Sequence, residues 1–455
     1  MIAHTLADVA RVTGGRLVGA NCAFDSVSTD TRTLPPGALF VALKGPSFDA
    51  HDFAEQARKQ GAVGALVERE LSSPMPQVVV VDALRALSEF ARAWRESFAI
   101  PVVGVTGSNG KTTTKEIIGA ILSLRGPCLV TQGNLNNHIG VPLMLMRLHA
   151  AHRAAVIEMG ANHEGEIAAL TALARPTVGV ITNAGAAHLE GFGDLDGVAR
   201  GKGELFRALG AERVAVINAD DVYADYWRQS TRARILTFGL QRADFSARSV
   251  RSMAGDEPGY AFEMTTPLGA CEMRLALAGE HNLRNALGAA AAAYAAGANL
   301  DEIARGVASM RAVSGRLQIK PAMRGAHLID DSYNANPSSV RAGVDALQTL
   351  AGRHWLILGD MMELGASADE LHAQIGEYAR EHGIERLWTV GAKAKLASQA
   401  FGAGGEHFSD LDALTAAARR ELAADVTVLI KGSRVNRLER VVAALGVAPA
   451  AANGH

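Results

Sequence analysis

Short β-branched runs alternate with helical stretches through the middle of this chain. VVGVT, AAVIEMG, TVGVITN and RVAVINAD are apolar at nearly every position, as strands buried on both faces are. Residues 99–313 are therefore expected to form a mostly parallel, doubly wound sheet with helices on both sides. The pattern restarts after SGRLQ: HWLILGD, RLWTVGA and VTVLIKG read as strands, DELHAQIGEYAREHG and LDALTAAARREL as helices. Residues 314–455 thus predict a smaller, Rossmann-like α/β domain. Residues 1–98 mix short strands and turns with one clear helix near VDALRALSEFARAW, and predict a small separate α/β domain. The spacing of Leu6, Val9 and Ala10 suits a short amphipathic helix. The uncharged run 286–300 is mostly alanine, short of the roughly 20 strongly apolar residues of a membrane span, and reads as a buried helix. The tail VAPAAANGH predicts disorder.

Composition narrows the classes. A length of 455 residues exceeds what one core usually serves, so two or three domains are expected. Lys+Arg 45 against Asp+Glu 47 gives a formal net charge of -2 without a block of like charge. Neither nucleic acid nor a membrane surface is indicated, and small substrates are. Cys22, Cys128 and Cys271 are too scattered for a zinc pair and odd in number for a disulfide framework, which fits a reducing cytoplasm. Asp8 and Arg11 interrupt the stretch a signal peptide would need.

The chemistry concentrates in GVTGSNGKTTTKE, where a strand becomes a helix. Such a turn aims backbone N–H groups and the helix dipole at one spot, which suits phosphate. Gly107 and Gly110 let the backbone approach the anion, Lys111 adds a charge on the outer phosphates, and the Thr112 hydroxyl can hold Mg²⁺. Ser108, Asn109 and Thr113 complete the loop. Val105 stands where the common P-loop pattern has its first glycine. ATP use follows.

Other polar residues fall at predicted strand ends. Glu158 closes a buried strand, where a carboxylate is a natural Mg²⁺ ligand. Asn183 ends the next strand and His188 follows on its loop. Lys202 lies on a later helix and by composition alone reads as an exposed lysine.

Together TGSNGKTTTKE, EMGANHEGEI, TNAGAAHLEGFG, ARGKGEL, GEHNLRNALGAAA, SGRLQ and DDSYNANPSS resemble the Mur ligase family across the whole chain. GNLNNHIGVPLML, GDMMELG and the N-terminal STDTR and ALKGPSFDAHDF resemble the branch that adds D-alanyl-D-alanine to UDP-N-acetylmuramoyl tripeptide. The ligase that adds the third stem residue usually carries a DNPR-type motif, and GDMMELG stands in its place. The resemblance implies ATP-dependent amide synthesis through an acyl phosphate, as the last cytoplasmic ligation of the peptidoglycan precursor.

By the same resemblance, Lys111 would hold the β- and γ-phosphates, Thr112 and Glu158 one Mg²⁺, and His188 a second. Lys202 would be carbamylated by CO₂. Asn282, and with it Asn183, would lie at the adenine, Arg316 would reach the γ-phosphate, and Asp331 would hold the ribose. Lys111, Lys202, His188 and Arg316 form the implied catalytic set. Ser28, Thr29, Asp30, Arg32, Lys44, Gly45, Asp49 and His51 would grip the uridine diphosphate, and a basic pair suits that charge. Asn134, Asn136 and Asn137 would meet the muramoyl peptide. Asn334, Asn336 and Ser338 either take D-alanyl-D-alanine or cap the turn before the helix at Val340. Nucleotide contacts from two domains imply closure of the third domain on the second, and a monomer is expected.

Overall fold

The computed structural model describes residues 4–253 and 258–447. All of VAPAAANGH except Val447 lies outside the described residues. Three large sheets carry the fold.

The first is five-stranded, in the spatial order Arg16–Val18, Gln77–Val79, Gly64–Val67, Ala38–Val41, Ser26–Ser28, and parallel except at Arg16–Val18. The amphipathic helix expected near the N-terminus is Leu6–Thr13, opened by a Thr5/Asp8 capping box and closed by left-handed Gly14. The helix Ala83–Glu96 begins at Asp82, whose side chain accepts from the Arg85 N–H. Its face of Ala83, Ala86, Leu87, Phe90 and Ala91 is buried. The same helix ties this part to the next: Trp94 Nε1 donates to the Leu148 carbonyl, and buried Arg95 donates to Ala174 and Phe98 carbonyls at two helix ends.

The second sheet has nine strands, ordered Gly269–Leu275, Gly259–Thr266, Phe245–Met253, Arg234–Gly239, Val214–Asn218, Val178–Ile181, Val102–Thr106, Ala154–Glu158, Cys128–Val130. Pairing is parallel from Phe245–Met253 through Cys128–Val130. Hydrophobic clusters cover both faces, which explains the uninterrupted apolar runs. The alanine-rich helix is Glu280–Ala295, not 286–300. Left-handed Gly297 stops it, and Asn299 opens a second helix, Leu300–Ala308, with a capping box on Glu302. Five consecutive alanines, 289–293, are fully buried there.

The third sheet runs Gln318–Pro321, His327–Asp331, Val426–Lys431, Arg353–Gly359, Arg386–Val390, Gly405–Phe408, parallel after its first strand. Its helices Ala368–Glu381 and Leu411–Glu421 match the segments read from the sequence. The three cysteines are free thiols, and no described helix is long and apolar enough to cross a membrane.

Candidate active site at the phosphate-binding loop

In the second sheet the strand Val102–Thr106 lies between Ala154–Glu158 and Val178–Ile181, with Val105 level with Glu158 and Thr106 level with Ile181. The chain leaves this strand toward one side and later returns on the other, so the crevice at its carboxyl end is a topological switch point. The loop 107–110 follows, and the helix Lys111–Ser123 starts there. Gly107 has φ 141°, and a Cβ on it would lie 2.0 Å from Thr182 Oγ1. Gly110 has φ 78°, and its Cβ would meet Asn285 Oδ1 at 2.3 Å. Only glycine fits either position.

Asn183 shapes the loop from the neighbouring strand end. Its Oδ1 accepts the Asn109 N–H at 3.0 Å and its Nδ2 donates to the Asn109 carbonyl at 3.1 Å. Lys111 Nζ donates to the carbonyls of Gly107 (2.7 Å) and Ser108 (3.1 Å). Burial depresses the Lys111 ammonium, Glu158 opposes that, and Arg316 adds to it.

Glu158 is 2% exposed; its Oε1 accepts from Asn136 Nδ2 at 2.8 Å, while its Oε2 has no hydrogen-bond partner among the described residues. A buried carboxylate oxygen left this way suits a cation. Among the described residues no three His, Cys, Asp or Glu side chains gather into a cage. That donor set fits Mg²⁺, which takes one or two protein oxygens and completes its shell with water and phosphate.

A cavity of about 480 Å³ opens at the loop. Its walls include Lys111, Thr112, Thr113, His188 and Asn282 from the second domain, and Arg316, Asp331, Asn334, Asn336 and Ser338 from the third. Asn282 is held by the Ala278 carbonyl and by Asn285. Arg316 lies over the Tyr333 ring, 4.2 Å from its centroid. Asp331 Oδ1 accepts from the Leu317 N–H at 3.3 Å and Oδ2 from Lys431 Nζ at 2.5 Å. Asn336 caps the helix Pro337–Gln348 through a capping box with Ser339. Its Nδ2 also donates to Asn109 Oδ1 at 2.8 Å, and Asn109 Nδ2 donates to Ser338 Oγ at 2.8 Å. The third domain therefore touches the phosphate loop directly. Glu363 and His188 make a second cross-domain contact, 2.5 Å between Oε2 and Nδ1.

Lys202 corrects its composition-only reading. On the helix Leu195–Arg207 it is 1% exposed, donates to the Ala161 carbonyl at 2.9 Å and lies 4.8 Å from the Phe192 ring centroid. Burial, then the charge of Lys111, pulls it down to about 7.

The first domain holds its residues separately from this cavity. Arg32 and Asp30 form an exposed pair at 2.6 Å, and Ser28 Oγ donates to the Asp30 carbonyl. Lys44 bridges Asp49 through the backbone, Gly45 donates to the Phe48 carbonyl, and Thr29 lies in the bend that follows the strand Ser26–Ser28. Both ring nitrogens of His51 are engaged within this domain: Nδ1 lies 2.5 Å from Asp49 Oδ1 and Nε2 accepts the Glu68 N–H. The Arg69 guanidinium, with His51, holds the Asp49 carboxyl well below the usual range. Asn137 caps the turn at Ile139 and Gly140, and Asn134 is exposed beside it.

Sequence reading missed four residues here: His281, Glu363 and Lys431 on the cavity wall, and Arg69 beside Asp49. Burial pushes His281 down to about 4. Lys431 carried a signal, since it is the one charge in the strand Val426–Lys431, buried at every position.

A glycine-shaped phosphate loop at a sheet switch point, walled by a second α/β domain, defines a multidomain P-loop nucleotide-binding enzyme. Family models match on that pattern: Mur ligase family, catalytic domain, over residues 23–95; Mur ligase middle domain over 105–293; and Mur ligase, glutamate ligase domain, over 315–434. The chain belongs to the Mur ligase family. It is 45% identical over 450 residues, 98% of this chain and 99% of the relative, to the UDP-N-acetylmuramoyl-tripeptide--D-alanyl-D-alanine ligase of Escherichia coli K12. The crystal structure of MurF from Acinetobacter baumannii superposes with a TM-score of 0.91 at 35% identity, covering 97% of this chain and 98% of that one. MurF from Thermotoga maritima in complex with ADP gives 0.80 at 27% identity, covering 92% and 96%.

Proposed function

We propose that this enzyme joins D-alanyl-D-alanine to UDP-N-acetylmuramoyl tripeptide at the expense of ATP, yielding the pentapeptide, ADP and phosphate. The observation that carries it is the single cavity lined by Lys111 and Thr112 from the phosphate loop and by Arg316 and Asp331 from the third domain. The tripeptide carboxylate attacks the γ-phosphorus, the bond to the ADP oxygen breaks, and an acyl phosphate forms. The dipeptide amine then attacks the acyl carbon, loses a proton, and phosphate departs from the tetrahedral intermediate. No protein nucleophile is required. The demand is for positive charge around the phosphoryl group and for alignment of three reactants, which Lys111, Arg316 and the loop N–H groups supply.

Bound Mg²⁺, held by Thr112 and Glu158 with a second ion at His188, would offset the phosphate charge. Lys202 is the carbamylation site: an amine near 7 is substantially neutral at physiological pH, and only the neutral amine attacks CO₂. Asp331 takes the ribose, and Asn282 with Asn183 flanks the adenine. Ser28, Thr29, Asp30, Arg32, Lys44, Gly45, Asp49 and His51 belong to the uridine diphosphate end, Asn134, Asn136 and Asn137 to the muramoyl peptide, and Asn334, Asn336 and Ser338 to the dipeptide. These roles divide the chain at 1–98, 99–313 and 314–455. The enzyme acts as a cytoplasmic monomer.

The test is phosphate release from ATP and Mg²⁺ with the tripeptide substrate, comparing D-alanyl-D-alanine, D-alanine, a diamino acid and no amine, with mass spectrometry of the product. Turnover restricted to the dipeptide supports the reading. Turnover with another amine on a shorter stem moves the enzyme to a different ligation step.

A further inference from the structure

His188 stands at φ 56°, a left-handed position before the short helix Leu189–Phe192, and its imidazole lines the cavity. Its Nδ1 lies 2.5 Å from Oε2 of Glu363, although no hydrogen bond there is well aligned. At such a separation a bare nitrogen lone pair would be repelled by a carboxylate oxygen, which favours the tautomer with its proton on Nδ1. In the neutral ring the lone pair then belongs to Nε2.

Glu363 is held for this approach by two domains. Its own backbone is left-handed (φ 62°), a conformation unfavourable for a residue that carries a Cβ. The third domain fixes the preceding residues, since the Met361 N–H donates to His372 Nε2 and the Met362 N–H to Ser433 Oγ, both at 2.9 Å. The Glu363 carbonyl accepts the Glu190 N–H of the second domain at 3.2 Å. A strained side-chain carrier fixed on both sides is the kind of feature that marks a functional constraint.

We infer that Glu363 is a positioning residue for His188: the docked third domain supplies the carboxylate that sets the ring's tautomer and leaves Nε2 as the metal-binding nitrogen. This rests on the reading of His188 as an Mg²⁺ ligand. A carboxylate behind a ligating histidine fixes ring orientation and raises its basicity. Here that carboxylate comes from another domain, so competence of the metal site is tied to docking.

Two quantities test it in the full chain with a non-hydrolysable ATP analogue and the tripeptide substrate: Mn²⁺ affinity by electron paramagnetic resonance, and the radius of gyration by solution scattering. Glu363→Gln and Glu363→Ala are expected to weaken the Mn²⁺ site by about 10–100-fold, with the scattering profile of Glu363→Gln unchanged. His188→Ala is expected to lose as much, and the double variant His188→Ala/Glu363→Ala no more than His188→Ala alone. If His188→Ala weakens Mn²⁺ while the Glu363 variants bind it normally, the metal reading stands and this inference falls. Additive losses, or a loss that appears only where docking fails, also overturn it. If His188→Ala leaves Mn²⁺ binding intact, the ligand assignment itself is wrong and the inference goes with it.

Discussion

Lys431 and Asp331 sit level with each other on adjacent parallel strands, Nζ to Oδ2 at 2.5 Å, with side chains 2% and 9% exposed. The lysine also donates to the Asn334 carbonyl at 3.0 Å. This pair joins the carboxylate proposed to hold ribose to the loop that carries Asn334, Asn336 and Ser338. Lys431→Met would leave Asp331 buried without its cation, a loss of roughly 3–5 kcal/mol. Urea unfolding should register that loss, and Lys431→Met/Asp331→Asn should recover a large part of it. Equal destabilisation in the single and double variants would mean that the pair is not the source.

Lys202 gives a prediction whose sign follows from its position. Its value in the fold, about 7, lies below the ordinary 10.5. Between those values the unfolded chain binds a proton that the folded chain does not, so stability rises with pH across this window. The penalty is complete below pH 7 and vanishes by about pH 10.5. In CO₂-free buffer Lys202→Met should therefore stabilise the protein by on the order of 3–5 kcal/mol at pH 6, with the gain shrinking as pH rises. A gain that does not vary with pH would assign the effect to packing against Phe192.

The same neutral amine predicts CO₂ uptake. With ¹³C-labelled CO₂ at fixed partial pressure, a carbamate carbon signal should grow as pH passes about 7 and be absent from Lys202→Arg. Its persistence in that variant would move the modification elsewhere.

Docking of the third domain on the phosphate loop rests in part on Asn109, which bonds both Asn336 and Ser338. Asn109→Ala removes both bonds, at about 1–3 kcal/mol for the pair. Solution scattering of the free enzyme should show a larger radius of gyration than that of the wild type, and KM for ATP should rise. An unchanged profile would assign the docking to other contacts, such as Glu190 with Glu363.

The legible parts of this protein are the local ones. A strand, two glycines, a lysine and a helix declare a phosphate loop within a dozen residues, and buried parallel strands announce themselves by unbroken apolar runs. Glu158 was legible because a strand end fixes where its side chain emerges. Lys202 was not, because its burial depends on Ala161, in the loop after the strand Ala154–Glu158, and on Phe192, at the end of the short helix Leu189–Phe192. Glu363 lay inside GDMMELG, informative as a family marker, but its meaning needs His188 from another domain. His51 shows the opposite limit: a motif residue in the resemblance whose two ring nitrogens are engaged by Asp49 and Glu68.

Gly107 offers the most direct check that the loop itself binds ATP. Its φ of 141° disfavours any side chain, and a Cβ would lie 2.0 Å from Thr182 Oγ1 and 3.0 Å from the Thr182 backbone nitrogen. The hydroxyl could rotate away but the backbone could not, so Gly107→Ala must move the loop. Because the loop borders the cavity and the strand beneath it keeps its pairing, the variant should fold while binding an ATP analogue at least 10-fold more weakly, a loss of about 1.4 kcal/mol or more. Calorimetric titration measures the affinity, and circular dichroism checks the fold. Normal affinity in a folded Gly107→Ala protein would mean that phosphate is not held by this turn, and the nucleotide would have to be sought elsewhere in the cavity.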